Sequence, residues 1–412
     1  MNNEQIDRVG IEFYSRWKEY NLSEAPIEII DGDRGKNYPS QEEFKANGYC
    51  LFLSTRNVRF NGFDFSECQF ISKERDMLLR KGKLKRNDIV ITTRGTIGNI
   101  GFYSDIISFE NIRINSGMVI IRPNSDYILP KFTFYTFQYL QKDFLTFTSG
   151  SAQPQLPIGD MSKMKINLPP LSEQTAIASI LSGLDDKIDL LHRQNKTLEQ
   201  LAETLFRQWF VEEADASWEE KSLFDVIELI GGGTPKTEMG EYWNGEIKWL
   251  SGGDIALNHK SFVMSTDKTI TDLGIENSSA QLLPKYSMVI SARGTVGKYC
   301  LLSEPMAFSQ SNYGIKPKYK DCYFFTYLIV AYSVEELQAA AYGSVFDTIT
   351  TSTFKGQNVF VPDVELIKQF EENITPYFKK ILSNQTQIRT LTQTRDTLLP
   401  KLMSGEVRVS EL

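Results

Sequence analysis

Two segments place an arginine where it can hold an anion. Asp88-Ile89-Val90-Ile91-Thr92-Thr93-Arg94-Gly95-Thr96-Ile97-Gly98 recurs as Ser287-Met288-Val289-Ile290-Ser291-Ala292-Arg293-Gly294-Thr295-Val296-Gly297. The β-branched run predicts a strand, so Arg94 and Arg293 stand at strand ends, each followed by a glycine turn and a threonine. A guanidinium there can grip a phosphate or the acceptor edge of guanine, glycine lets backbone approach a sugar-phosphate chain, and Thr96 and Thr295 bring hydroxyl donors. Near-identity of the copies favours shared turn architecture with phosphate positioning. A turn of purely structural purpose is the competing account. Base reading is expected of positions that differ between the copies: Arg56, Asn57 and Arg59 in the first, Asp254, Asn258 and His259 in the second. The loop-borne Gln153 and Gln155 can pair with adenine, or belong to an ordinary surface loop.

Other chemistries fit less well. Gly231-Gly232-Gly233-Thr234-Pro235-Lys236-Thr237 resembles a phosphate-gripping loop, but the spacing Gly-x-x-x-x-Gly-Lys-Ser/Thr is absent and Pro235 lacks an amide donor. Thr234 and Lys236 are better read as contacts to DNA phosphate. Asn167-Leu168-Pro169-Pro170 is not the Asn/Asp-Pro-Pro-Tyr/Phe segment of adenine methyltransferases, and Glu365 and Lys368 lack the Glu-x-Lys spacing of a nuclease. His192 and His259 have no serine or cysteine nucleophile beside them, so acid-base catalysis has no evident home. Cys50, Cys68, Cys300 and Cys322 form no Cys-x-x-Cys pair; buried free thiols are expected, with no metal site.

The net charge of -7 argues at first against nucleic acid. Its distribution answers that objection. Residues 1–165 hold 22 basic against 20 acidic side chains, while residues 166–215 hold 4 against 9. Lys73, Arg75, Arg80, Lys81, Lys83, Lys85, Arg86 and Arg94 share their window with only Glu74, Asp76 and Asp88. That run is either a solvated face or a polyanion contact leading into the Arg94 turn. No apolar stretch is long enough to span a membrane and no leader pattern is evident, so a cytoplasmic location is expected.

The elements that must carry these residues are themselves duplicated. Ile177, Leu181, Leu184, Ile188, Leu191, Asn195, Leu198, Ala202, Leu205 and Trp209 alternate steps of four and three. Adding 193 to each number gives Phe370, Ile374, Tyr377, Ile381, Asn384, Ile388, Leu391, Arg395, Leu398 and Leu402. Sustained four-three spacing keeps one stripe of a helix against a partner, so the two stretches are expected to form an antiparallel coiled coil. Asn195 and Asn384 are polar seam residues of the kind that fix register, or else frayed positions. Ser172 and Asp363 are the expected N-caps, and Pro376 is expected to delay or kink the second helix, leaving the first the straighter.

Upstream of each helix the same order recurs: Trp17 and Leu22 match Trp218 and Leu223, Leu53-Ser54 matches Leu250-Ser251, and Gly150-Ser151 matches Gly343-Ser344. Runs at Ile89 to Thr93, Met118 to Arg122, Met288 to Ser291 and Asn358 to Val361 predict strands; Lys131 to Phe147 and Cys322 to Ala341 predict helices. The fold class is therefore α+β: two tandem globular domains, each followed by a long helix, with pseudo-two-fold character. The expected boundaries are a first domain over 1–170, a central helix over 171–213, a second domain over 214–362, a C-terminal helix over 363–405 and a tail over 406–412. Helices of that length run roughly 50–60 Å, enough to hold two DNA-reading heads one helical repeat of duplex apart.

This order resembles the specificity subunit of type I restriction-modification systems over nearly the whole chain. The resemblance is carried by Leu168-Pro169-Pro170-Leu171-Ser172-Glu173-Gln174 running into Ile177 to Phe210, the twin Arg-Gly-Thr-x-Gly segments, Gly150-Ser151-Ala152-Gln153-Pro154-Gln155, and Gly233-Thr234-Pro235 followed by Tyr242-Trp243 and Trp249. It implies two target-recognition domains reading the halves of a split double-stranded DNA site. It also implies a coiled-coil spacer docking two methyltransferase subunits, with restriction subunits added, and no catalysis or cofactor in this chain. S-adenosylmethionine, ATP and magnesium would belong to the partners. The alternative class is a coiled-coil protein scaffold without DNA specificity.

Overall fold

In the computed structural model, residues 17–148, 154–342 and 347–409 are described. Gln153 and the matched Gly150-Ser151 and Gly343-Ser344 lie outside them. The chain divides into two compact units, Met1–Asp186 with Thr392–Leu412, and Lys187–Leu391. These differ from the boundaries expected from sequence because the helices are not free-standing: part of each is built into the core of each unit.

In the first unit a four-stranded antiparallel sheet runs in the order Ile27–Asp31, Met118–Pro123, Ile89–Thr92, Ile100–Phe102. Its apolar runs are continuous because both faces are covered. Ile89, Ile91, Val119 and Ile121 point into one core with the helix Pro130–Leu140, and Val90, Met118 and Ile120 into another with Leu51, Leu53 and Ile112. A second sheet sets Cys50–Leu53 parallel to Ile112–Ile114 and antiparallel to Phe70–Ile71. Lys18–Asn21 pairs with Lys165–Leu168, just before the central helix.

The second unit repeats this plan. Its sheet order is Ile227–Gly231, Asn312–Pro317, Met288–Ser291, Tyr299–Leu302, Phe262–Val263. Trp243–Leu250 runs parallel to Ala307–Phe308, and Glu219–Ser222 pairs with Asn358–Val361 before the C-terminal helix. Two helices, Tyr323–Tyr332 and Val334–Tyr342, occupy the place of the single expected one. The N-terminus of the first of them is capped from a distance: Glu371 accepts hydrogen bonds from Phe324 N (3.1 Å) and Phe325 N (2.7 Å). Burial outweighs those bonds and raises the Glu371 carboxyl to about 7.

The long helices are Leu171–Arg207, continued by a π-helical turn over Gln208–Glu212, and Val364–Ser404. Every seam position named above is buried or half-buried. Within the second unit Asn195 meets Asn384 while Phe210 meets Phe370, and within the first Asp185 meets Arg395 while Glu173 meets Arg408. In each unit, positions that advance along one helix meet positions that recede along the other, so the segments pack antiparallel. Asp363 is an N-cap, its carboxylate accepting from Leu366 N at 2.9 Å. Ser172 is not: the helix begins one residue earlier, with the Pro170 carbonyl accepting from Glu173 N and Gln174 N. Nor does Pro376 delay the second helix, which is α-helical from Val364 straight through it. Pro376 is exposed, while Phe370, Ile374, Phe378 and Ile381 around it are buried. Each such side chain contributes about 1.5–3 kcal/mol on burial, against roughly 3 kcal/mol for an interior proline. The irregular ladder belongs instead to the first helix, at its π turn.

No helix among the described residues is long and apolar enough to cross a membrane. Cys50, Cys300 and Cys322 are buried free thiols and Cys68 is half-buried.

Candidate nucleic-acid interface

Both arginines sit as the strand-turn pattern requires. After Ile89–Thr92 the chain turns through Gly95 (φ +71°) and Gly98 (φ +88°), and after Met288–Ser291 through Gly294 (+75°) and Gly297 (+79°). Those left-handed positions explain why both copies hold glycine there. Gly98 N donates to Thr92 O and Gly297 N to Ser291 O, both at 2.9 Å. A hydroxyl closes each turn: Thr92 Oγ1 donates to the Thr96 carbonyl, and Ser291 Oγ to the Arg293 carbonyl at 3.0 Å. The turn thus presents its arginine outward. Arg94 is half-buried and Arg293 exposed, and neither guanidinium has a hydrogen-bond or ion-pair partner among the described residues.

A glutamine missed at the sequence level braces each turn from behind. Gln141 Nε2 donates to Gly98 O at 2.7 Å, and Gln338 Nε2 to Val296 O at 2.8 Å. A lone amide in an aromatic helical segment gives no signal of that role.

The structure gathers several expected residues at the Arg94 turn. Gln155 pairs with Arg94 in an isolated antiparallel bridge. A Cβ on Gly117 would lie 2.9 Å from the Thr55 methyl and 3.8 Å from Arg94 Cβ, so the turn holding Arg56 stands beside Arg94. Arg56 is exposed and unpaired among the described residues. Arg56 and Arg59 line a groove of about 1000 Å³ with Gln41, Asn47, Gln69 and Phe109. Arg59 already holds Asp64 at 2.7 Å, its side chain still 62% exposed. Ser66, through hydroxyl and amide, and then Arg59 keep the Asp64 carboxyl well below the ordinary range.

Asn57 and Asp254 are corrected: neither can read a base. They occupy the same position of two capping boxes, Ser54 with Asn57 and Ser251 with Asp254. Asn57 is 5% exposed, its oxygen bound by Ser54 N and Oγ and its amide donating to Asp64 O and Glu67 O. Asp254 is 7% exposed and accepts from Ser251 N, Ser251 Oγ and Asp267 N. They differ between the copies because the loops they brace differ, one offering carbonyls and the other an amide. Such a cap contributes about 1 kcal/mol.

Thr295 is also committed, donating to Gly252 O at 3.4 Å and Ser291 Oγ at 3.1 Å, whereas Thr96 is exposed with its hydroxyl unpaired among the described residues. Asn258 is half-buried and donates to Asp254 O. Tyr299 N donates to His259 Nδ1, and burial followed by Lys298 and Lys260 lowers the imidazole pKa.

In the triple glycine Gly231 faces open space, but Gly232 and Gly233 are packed. A Cβ on Gly232 would lie 2.1 Å from Ser309 O, and one on Gly233 2.1 Å from Ala280 N. Gly231 pairs with Tyr313 and Tyr313 with Ile290, so half-buried Thr234 and exposed Lys236 leave the sheet at the Arg293 end. The first unit has an unrecognised counterpart. Asp31 pairs with Val119 and Val119 with Ile91, which puts exposed Arg34 and Lys36 at the Arg94 end. The signal was present: Gly32-x-Arg34-x-Lys36 matches Gly232-x-Thr234-x-Lys236 at an offset of 200.

Part of the basic run at 73–94 is spent internally. Arg75 pairs with Glu43 and Lys83 with Asp76, while Arg86 lies over the Tyr103 ring. Arg80, Lys81 and Lys85 stay exposed.

A family model described as "Type I restriction modification DNA specificity domain" matches residues 14–200 and again 216–393, once per repeat. The chain is 25% identical over 480 residues to the HindI specificity subunit of Haemophilus influenzae, covering 95% of this chain and 100% of that one. It is 26% identical over 353 residues to the MjaIX specificity subunit of Methanocaldococcus jannaschii, covering 79% of each. Among solved structures it resembles the type I restriction-modification S subunit from M. genitalium, with a TM-score of 0.63 at 16% identity over 94% of this chain and 96% of that one.

Proposed function

The chain belongs to the type I restriction-modification DNA specificity family, and from that premise we propose that its two units read the two halves of a split DNA site. It is a specificity subunit, and specificity subunits are non-catalytic: the catalytic activities lie in other subunits. The observation that carries the two-part reading is the recurrence, in both units, of a braced turn with an outward, unpaired arginine. Arg94 and Arg293 bind phosphate and set position, because the same turn in two heads cannot distinguish two half-sites. Arg56, Arg59 and Gln155 in one unit and Asn258 in the other are the residues assigned here to base edges, supported for Arg56 and Gln155 by their place beside Arg94.

In this reading the antiparallel helices set the unread spacer and dock two adenine methyltransferase subunits, to which restriction subunits add. S-adenosylmethionine then belongs to the methyltransferase partners, and ATP and magnesium to the restriction partner. The test is methylation mapping of a genome that carries this gene with its methyltransferase partner. A split motif with a fixed unread gap is expected. A continuous motif, or none, would sink the two-headed reading.

A further inference from the structure

One pair of side chains is left over once the turns are accounted for. Phe60 is 66% exposed and Leu257 is 88% exposed. Each lies six residues after the serine of its capping box, Ser54 or Ser251, and each is followed by asparagine. Their surroundings differ in local structure: Phe60 follows the strand of the hairpin Val58–Arg59/Gly62–Phe63, whereas Leu257 ends the short helix Gly252–Leu257. The residues between serine and apolar side chain have also diverged, Thr55-Arg56 against Gly252-Gly253 and Arg59 against Ala256. A single exposed apolar residue needs no explanation. An exposed apolar residue kept at one position of two diverged copies does.

Phe60 is fastened to the strand that leaves the arginine turn, and in the second unit the segment just after Leu257 is held to the matching strand. Gln141 Nε2, which holds Gly98 O, also donates to Phe60 O at 2.9 Å, and Asn61 bridges Ile100. In the second unit Lys260 N donates to Tyr299 O at 2.8 Å, the matching place. Cations stand close by in sequence in both: Arg56 and the Asp64-paired Arg59 before Phe60, and Lys260 three residues after Leu257. An apolar tip with cations close by in sequence fits a polyanion whose interior is apolar, which is duplex DNA. Side chains of this class contact thymine methyl groups or wedge against a base step.

We propose that Phe60 and Leu257 are base-contacting residues of the two half-sites, supplying apolar surface to a thymine methyl or to the face of an opened base step. This rests on the two-headed DNA reading above and adds the side chains that recognise apolar features of the bases.

The test uses the assembled complex and a short duplex carrying its mapped site, with a scrambled duplex beside it. Phe60→Ala and Leu257→Ala should each weaken cognate binding about tenfold or more, with a change of less than about twofold on scrambled DNA. Phe60→Leu should retain most of the affinity. The salt dependence should keep its slope, because no phosphate contact is lost. Uracil in place of a half-site thymine reproduces the loss where a methyl is the contact. Brightening of 2-aminopurine with the wild type but not the alanine variant marks an opened step. Cognate binding by both alanine variants within about twofold of wild type, or equal losses on both duplexes, overturns the proposal. A wild type with no preference for its site is a different failure, that of the two-headed reading itself.

Discussion

Asn195 and Asn384 offer a sharp test of what holds the second unit's helices in register. Asn384 is fully buried and Asn195 is 6% exposed, in a stripe otherwise made of Ile188, Leu191, Ile381 and Ile388. Asn384 Nδ2 donates to Asn195 Oδ1 at 2.8 Å and to Gln194 Oε1 at 3.4 Å, while Asn384 Oδ1 is buried with no partner. Asn195→Leu strips the better acceptor from an amide that stays buried. Losing that bond and leaving the donor poorly paired costs about 2–3 kcal/mol, of which the new apolar contact recovers roughly 1 kcal/mol. A net loss of about 1–2 kcal/mol is expected. The double variant Asn195→Leu/Asn384→Leu removes both desolvated amides and the unpaired oxygen together, and should be more stable than wild type by about 1–3 kcal/mol. The coupling in a double-mutant cycle should therefore exceed about 2 kcal/mol. Urea unfolding of the full chain and its three variants measures it. Additive effects, with Asn195→Leu as stable as wild type, would refute the reasoning. The stabilised double variant should also lose uniqueness of register, seen as a methylated motif with more than one spacer length, because the paired amides penalise a slipped apolar seam within that unit.

Three further outcomes follow from the same geometry. Arg94→Ala and Arg293→Ala should weaken binding to cognate and scrambled duplex alike and lower the salt slope by about one each, measured by titration at several salt concentrations; a change confined to one base position would instead make them readers. Because Glu371 holds its proton in the folded state up to about 7 and from an ordinary value of 4.5 when unfolded, its contribution is complete below pH 4.5 and is lost as pH rises through about 7. The drop is about 3 kcal/mol, and Glu371→Gln should flatten that slope in urea unfolding at a series of pH values. Inserting one heptad in each long helix should lengthen the unread spacer by about three base pairs in methylation mapping, and an unchanged spacer would show that the helices do not set it.

What the sequence made legible was whatever repeats at a fixed period or a fixed offset. The four-three stripe predicted both helices because burial of one face imposes that spacing, and Met288–Ser291 and Asn358–Val361 were legible as strands from β-branched and aromatic runs. Pro376 misled because propensity counts one lost ladder bond, whereas the buried residues around it act together. Ser172 misled because a serine near a helix start is a good cap only if the backbone turns there, and it turns at Pro170. Gln141 and Gln338 were invisible, since a bracing amide is defined by the carbonyl it reaches across the fold and not by its neighbours in sequence.

Asn57 and Asp254 carry the more general correction. Variation between two copies of a domain points to a base reader, yet these two differ for a reason wholly inside the fold: one braces carbonyls with an amide, the other an amide with a carboxylate. Divergence therefore sorts into two kinds, separated by burial. Buried positions diverge to follow a neighbouring loop, while an exposed position such as Arg56 against Gly253 has no partner among the described residues that demands the change. Only the second kind can carry different half-sites. Constancy sorts the same way, because Gly95 and Gly294 are fixed by backbone angle, whereas Phe60 and Leu257 stay 66% and 88% exposed. Their persistence is what supports the proposal that both side chains meet apolar surface of the bases.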